Sequence, residues 1–504
     1  MKRVTAALLV LAVLAACFIG GASAYMDRRA DDLEISGEAL CGDAAAAEGF
    51  TVGLDAILGG HVVWNARYSP ATGDNETDYR WSPGERKRPE QGYTTGLDMY
   101  YGLSGGLSWS GTNDRRPDSP LDAALYDAIA PEAEANMGET VHKRVRLNDY
   151  TDVLPIMSYP YGGIVEPDPD GYGGYREIDW SDVFNVPLPG TVWVSLSMTR
   201  REAGGDFNIN SDFDCAVYSS SAVAADGNLY LALMLTDLDG AQLDASGAPG
   251  GSWGLYRIQG TPDEEPEGAR WWMHDPNVTI EPEKTELVTP VGGDCTALNM
   301  FLSYDGQYLQ LVTCEGGEMY FTVVDITSGE TLSREQLPPP FDSKGRPAEP
   351  ERAVESMGCA LYEDFAVFSA YDTLYVYEPC DGDYELRRCI DVSAAPVSVD
   401  VLCEFGGFGG CDDYNVYTYY TGYAWDGEKL AVLKVYYEYV WYEDTEGQPA
   451  YRGIRPVLSV YGEDGSLAYC EIMCSQLDSE LSYRDEPLYR QYVVAADSTS
   501  LASG

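Results

Sequence analysis

Short acidic turns that lead into apolar strand runs recur about every 60 to 80 residues along the chain, and this repeat limits the folds open to it. Ala224-Ala225-Asp226-Gly227 leads into residues 228–235, and Ser303-Tyr304-Asp305-Gly306 leads into 307–313 and 319–326. Tyr362-Glu363-Asp364 precedes 365–370 and 373–377. Ala424-Trp425-Asp426-Gly427 precedes 429–435, with 457–461 and Gly462-Glu463-Asp464-Gly465 beyond. Asp-Gly accepts the positive φ angles of a tight turn, so each unit supplies a strand, a turn, a second strand and a longer connection. A four-stranded sheet cannot bury both of its faces alone, whereas stacked copies can. The repeat therefore predicts an all-β chain, a β-propeller of about seven to eight blades, with tandem β-sandwiches as the alternative. The 53 Gly, 28 Pro and 38 Tyr agree with short strands joined by turns. Helical periodicity is confined to residues 120–129.

The N-terminus is a separate signal. Met1-Lys2-Arg3 is followed by an uncharged run from Val4 to Met26, after which Asp27-Arg28-Arg29 returns to polar sequence. About 20 apolar residues span a bilayer as a helix, and the leading basic pair sets an N-in orientation. The expected placement is a cell membrane with one N-terminal anchor and an extracytoplasmic domain. Leu14-Ala15-Ala16-Cys17 resembles a bacterial lipobox, which would place a lipid on Cys17, and Ala22-Ser23-Ala24 offers a cleavage site that would release the chain. The organisation read from this is 1–26 signal anchor or signal peptide, 27–48 juxtamembrane segment, 49–496 propeller-like ectodomain and 497–504 flexible tail. Residues 32–36 are expected to pair with a strand near 489–494. Cys380/Cys389, Cys403/Cys411 and Cys470/Cys474 are close enough in sequence to suggest disulfides.

Asp and Glu number 82 against 32 Lys and Arg, a formal net charge of −50. No clustered basic surface exists to bind polyanions, so nucleic acid is excluded as a partner. Asp206, Asn208, Asn210, Asp212 and Asp214 place oxygen ligands at alternate positions, the spacing with which a loop wraps Ca²⁺, although the glycine and terminal glutamate of an EF-hand are missing. Asp168-Pro169-Asp170-Gly171 and Asp237-Leu238-Asp239-Gly240 are weaker forms of the same idea. Gly102-Leu103-Ser104-Gly105-Gly106 has the spacing of a nucleophile elbow but lacks the following helix, and reads as a turn. His61 and His142 read as strand residues. No catalytic residues and no further cofactor are assigned. Trp271-Trp272 and the tyrosine-rich runs 414–423 and 436–442 suit either packing between sheets or a surface that stacks on sugars.

Residues 35–50, Ile35-Ser36-Gly37-Glu38-Ala39-Leu40-Cys41-Gly42-Asp43 and onward, resemble a junction that follows the apolar helix in uncharacterised exported proteins of Gram-positive anaerobes. The likeness implies a membrane-tethered, propeller-like ectodomain and no established activity. Cys41 stands where that junction more often has an aromatic residue. The functional expectation is a binding or sensory module with an envelope protein or glycan as partner. A carbohydrate-active envelope enzyme and a passive structural surface protein are the alternatives.

Overall fold

The acidic turns form where the sequence places them. Asp226 and Gly227 both have positive φ, 48° and 80°, and Ala225 pairs with Asn228 across them, the two-residue hairpin that Asp-Gly favours. Asp305, Asp426 and Asp464 each accept the backbone N–H two residues on, at 3.0, 2.9 and 2.9 Å. A short side chain that bonds its own backbone ahead stabilises a turn.

The structure is a computed structural model that describes residues 2–31, 34–58, 62–81, 96–101, 109–111, 119–161, 178–200, 207–212, 215–262, 278–380, 383–393, 416–441, 449–475, 482–483 and 488–496. Its strands form seven sheets, all antiparallel. Sheet I orders its strands Leu488–Ala496, Phe50–Leu58, Val62–Tyr68, Asn75–Trp81. Sheet II contains Gly96–Tyr101, Ile156–Tyr161 and Ile178–Asp179. Sheet III runs Val217–Ala225, Asn228–Thr236, Gly254–Pro262, Val278–Pro290. Sheet IV runs Cys295–Leu302, Tyr308–Glu315, Glu318–Asp325, Thr331–Gln336. Sheet V runs Gly358–Leu361, Ala366–Ala370, Thr373–Cys380, Asp383–Asp391. Sheet VI runs Val416–Trp425, Leu430–Trp441, Pro449–Tyr461, Leu467–Cys474 and, outermost, Ser36–Gly42, with Ser482–Tyr483 also paired to Pro449–Tyr461.

Buried clusters place these six sheets face to face in a row. One cluster joins Ile156 of sheet II, Leu231 and Tyr256 of sheet III and Met300 and Leu311 of sheet IV. Others join sheets IV and V through Phe321 and Phe368, V and VI through Val376 and Val432, and VI and I through Leu433 and Leu54. Among the described residues no such cluster joins sheets I and II. Phe184 anchors the first of these interfaces, edge-on to Tyr256 at 5.1 Å between centroids. Full burial of a side chain of this size contributes about 1.5–3 kcal/mol.

The seventh sheet meets the row through half-buried Leu188 and Cys215, which pack against both its core and that of sheets II to IV. It orders Trp109–Gly111, Phe207–Asp212, Trp193–Arg200, Thr140–Arg146 and packs its own core against a helix, Pro120–Ala135. This helix extends the predicted 120–129 segment, with Ser119 as its N-cap and Pro120 in its first turn. Arg200, 4% exposed, pairs with Glu134 at 2.6 Å and donates to the Tyr126 hydroxyl at 2.7 Å, fastening strand to helix.

The two ends of the chain are built into sheets, though not as the sequence suggested. Leu488–Ala496 pairs with Phe50–Leu58, whereas Ser36–Gly42 pairs with Leu467–Cys474. The C-terminal strand thus completes sheet I, and the N-terminal strand covers the edge of sheet VI. Ile35 continues the clasp to sheet I: its N–H donates to the Asn75 side chain at 3.0 Å, and the Asn75 amide donates back to its carbonyl at 2.8 Å. Residues 497–504 lie outside the described residues. A helix, Lys2–Asp31, precedes the clasp and leaves Leu11, Leu14, Phe18 and Ile19 exposed. Among the described residues no helix is long and apolar enough to cross a membrane.

The proposed cysteine pairs are separated by strand geometry. Cys380 opposes Asp383 at the hairpin end while Cys389 opposes Tyr375 further along the ladder. Cys470 and Cys474 are four residues apart on one strand, about 13 Å at a strand's rise and beyond the reach of a disulfide. All four are free thiols; Cys403 and Cys411 lie outside the described residues.

Where the N-terminal strand, sheet VI and sheet I meet, Glu471 is buried at 2% exposure and accepts from the Tyr68 hydroxyl at 2.7 Å. Burial raises its pKa, and the Tyr68 and Tyr469 hydroxyls oppose the rise. The carboxylate reaches this place because position 37 has no side chain: a Cβ on Gly37 would collide with the Glu471 carboxylate. Gly37→Ala is therefore expected to cost about 1–3 kcal/mol in chemical denaturation, as overpacking does. A carboxyl whose folded pKa is raised loses stability as pH climbs through its ordinary value towards the folded one. Glu471→Gln should accordingly gain stability relative to the parent between pH 4 and pH 7, and parallel denaturant titrations at the two pH values would check the sign.

Candidate functional site

Sheet VI meets sheet V incompletely, leaving a cavity of about 310 Å³. Strand alternation sets the sheet VI wall. Thr421 and Tyr423 on the first strand, Val432, Lys434 and Tyr436 on the second and Val457, Ser459 and Tyr461 on the third all line it. Their register accounts for this: Thr421 opposes Lys434, Lys434 opposes Val457, and Val432 opposes both Tyr423 and Ser459. Directly opposed residues on neighbouring strands share a face. Sheet V closes the other side with Ser369, Tyr371, Asp372 and Leu374, helped by Ser343 and Ser393.

Asp372 is held by its backbone. Its N–H donates to the Phe341 carbonyl at 3.1 Å and its carbonyl accepts from Val392 at 2.7 Å. Burial raises its carboxyl pKa; Lys434 pulls it back, while Asp391 and Asp342 push it further up. Tyr436 is pushed up to about 12 by burial, and the Tyr461 hydroxyl is raised for the same reason. These phenols stay protonated at neutral pH, so they donate as well as accept. The cavity thus combines neutral hydroxyls and aromatic faces with one carboxylate and one ammonium.

The turn at its mouth breaks a local rule. Ala370 and Thr373 pair across Tyr371-Asp372, a two-residue hairpin like the one at Asp226-Gly227, yet Tyr371 takes φ 52°. A bulky residue in the left-handed region costs about 1–3 kcal/mol, and Tyr371 is 47% exposed. A strained, exposed tyrosine beside a polar cavity is a feature of binding sites rather than of cores.

The residues singled out from sequence are distributed differently. Asn208, Asn210 and Asp212 belong to the extended strand Phe207–Asp212, where their backbones oppose Thr199, Ser197 and Ser195; Asp206 and Asp214 lie outside the described residues. Among the described residues no group of three His, Cys, Asp or Glu side chains is gathered to hold a metal. Asp237 spends its carboxylate on the N–H groups of Asp239 and Ala241 at 3.0 and 2.9 Å. His142 is exposed on a strand. Residues 102–106, 168–171, 271–275 and His61 lie outside the described residues. Of the tyrosine-rich runs, Tyr423 and Tyr436 reach the cavity, whereas Asp372, Lys434 and the serines carried no sequence motif. The one local sign was a two-residue hairpin whose first position is neither Gly, Asn nor Asp.

No family model matches the chain, and no curated protein does. Solved structures give distant likenesses. A putative 6-phosphogluconolactonase from Bacteroides uniformis is 11% identical over 88% of this chain and 100% of its own, with a TM-score of 0.17. A periplasmic gluconolactonase of Pseudomonas aeruginosa is 10% identical over 86% and 99%, with a TM-score of 0.20. A chain of the mitotic checkpoint complex is 10% identical over 50% of this chain and 61% of its own, with a TM-score of 0.17. Likenesses at these scores carry no argument about what this chain does.

The opposition of Lys434 to Asp372 is testable without any ligand. In Lys434→Met the Asp372 carboxyl should titrate higher than in the parent, because the one neighbouring charge that lowers its pKa is gone. Carboxyl ¹³C titration of aspartate-labelled protein, assigned with Asp372→Asn, would record the shift.

Proposed function

We propose that this chain is a membrane-tethered, extracytoplasmic β-propeller-like binding module whose ligand is a saccharide of the cell envelope, held in the cavity between sheets V and VI. Among the described residues six stacked sheets serve as its blades, and the side sheet with its helix is an appendage. The observation that carries the reading is the cavity lining. Tyrosine faces suit the apolar faces of a sugar ring, and Ser369, Ser393, Thr421 and Ser459 suit its hydroxyls. Asp372 and Lys434 fix orientation, as a few placed charged groups do in small-molecule sites. Its volume lies at the lower end of the range for ligand pockets.

Glycan-array binding of the detergent-solubilised protein, followed by calorimetry, tests this reading. Saturable binding of a particular glycan, weakened about tenfold or more in Lys434→Met and Asp372→Asn, is the expected result. Binding that both variants leave untouched would remove the cavity from consideration, and release of reducing ends would favour the enzymatic alternative.

The tether rests on the uncharged run from Val4 to Met26 and on the exposed Leu11, Leu14, Phe18 and Ile19 of the leading helix. Water-exposed apolar side chains at this density call for a lipid or protein covering. The chain is expected in the membrane fraction, resistant to alkaline carbonate and digestible by external protease. Deleting residues 1–26 should release it.

A further inference from the structure

We propose that Cys41 and Cys470 form a disulfide that rivets the N-terminal strand to sheet VI. Both thiols are free in the structure, and they are directly opposed in the ladder between Ser36–Gly42 and Leu467–Cys474. Opposed residues of an antiparallel pair have Cα atoms about 4.5–5.5 Å apart, within the span a disulfide bridges. Opposition alone would not suffice, but Cys41 also packs against the small cluster of Val457, Cys470 and Ile472, together with Leu40, Tyr436 and Leu467.

A bulge creates the match. Ala39 opposes Glu471 and Cys41 opposes Cys470, so Leu40 is the extra residue. Without it Leu40 would face Cys470 and Cys41 would face Tyr469. Bulges commonly re-aim a single side chain in this way. No other pair of described cysteines is opposed in any ladder.

The oxidant is a low-molecular-weight disulfide such as glutathione disulfide. The half-exposed Cys41 thiolate attacks it, forming a mixed disulfide and expelling one glutathione thiolate. Cys470 then attacks the Cys41 sulfur, the protein disulfide forms and the second glutathione thiolate leaves. Two thiol protons pass to solvent, and two electrons reduce the oxidant. Cys470 is fully buried beside the Ser459 hydroxyl, and burial pushes its thiol up to about 11. The second step should therefore quicken as pH rises.

The full-length chain, equilibrated in glutathione disulfide or in reduced glutathione, is alkylated, digested and mapped by mass spectrometry. A peptide joining Cys41 to Cys470, lighter by two hydrogens than its reduced parts, is expected only after oxidation. Cys41→Ser and Cys470→Ser should each abolish it, and Cys474→Ser should leave it. The oxidised parent should also melt at a higher temperature than the reduced parent, a comparison in which no variant has to fold. Cys41 that stays fully alkylatable in folded, oxidised protein, or that links to another cysteine, would overturn the proposal.

Discussion

An open sheet edge is a row of unpaired N–H and C=O groups, and a row of stacked sheets must cover its ends or be exposed to other chains. Here the cover is the chain's own termini. Leu488–Ala496 completes the sheet that Phe50 begins, and Ser36–Gly42 seals the outside of sheet VI. The interface between sheets VI and I, with Leu433, Leu458 and Tyr469 against Phe50, Leu54 and Tyr492, depends on both strands being in place. The cavity depends on it in turn, because its wall is the face of sheet VI that turns towards sheet V.

The same junction holds the least comfortable group in this region. A carboxylate at 2% exposure is costly unless its oxygens are met by donors. Tyr68 meets one, and the missing side chain at Gly37 makes the room. Three separate parts of the sequence therefore converge on one carboxyl group: the N-terminal strand, the strand Val62–Tyr68 of sheet I and the last hairpin of sheet VI. Such a contact specifies which strand lies where, beyond what apolar contacts alone decide. Asn75 adds to it, since both ends of its amide are committed to Ile35.

What could be read from sequence was local. The Asp-Gly turns were legible because positive φ is a property of two adjacent residues, and Asp226-Gly227 meets it in the expected way. The helix after Ser119 was legible from its period and its cap. The strand partners of the termini were not, because register between residues more than 400 positions apart leaves no trace in either segment alone. Two of the cysteine pairs, Cys380/Cys389 and Cys470/Cys474, failed because nearness in sequence is not nearness in a strand: the strand carries Cys470 and Cys474 apart. The cavity was invisible because its residues come from three strands of one sheet and from a hairpin and neighbouring loops of another, each ordinary in its own segment. Only Tyr371, a tyrosine where the turn geometry favours Gly, Asn or Asp, departs from what its neighbours would dictate.

The covering of both ends has a consequence for how the chain reaches this state. Ser36–Gly42 is made more than 400 residues before its partner Leu467–Cys474, and sheet I cannot be completed until residue 496 has appeared. Contacts of such long separation are slow to form, because the closure entropy must be met before they contribute. Sheets III, IV and V are each built from consecutive strands and can assemble as they emerge. Sheets I and VI must wait with exposed edges until these late strands have been made, and in that interval the chain is most open to pairing with a second copy of itself.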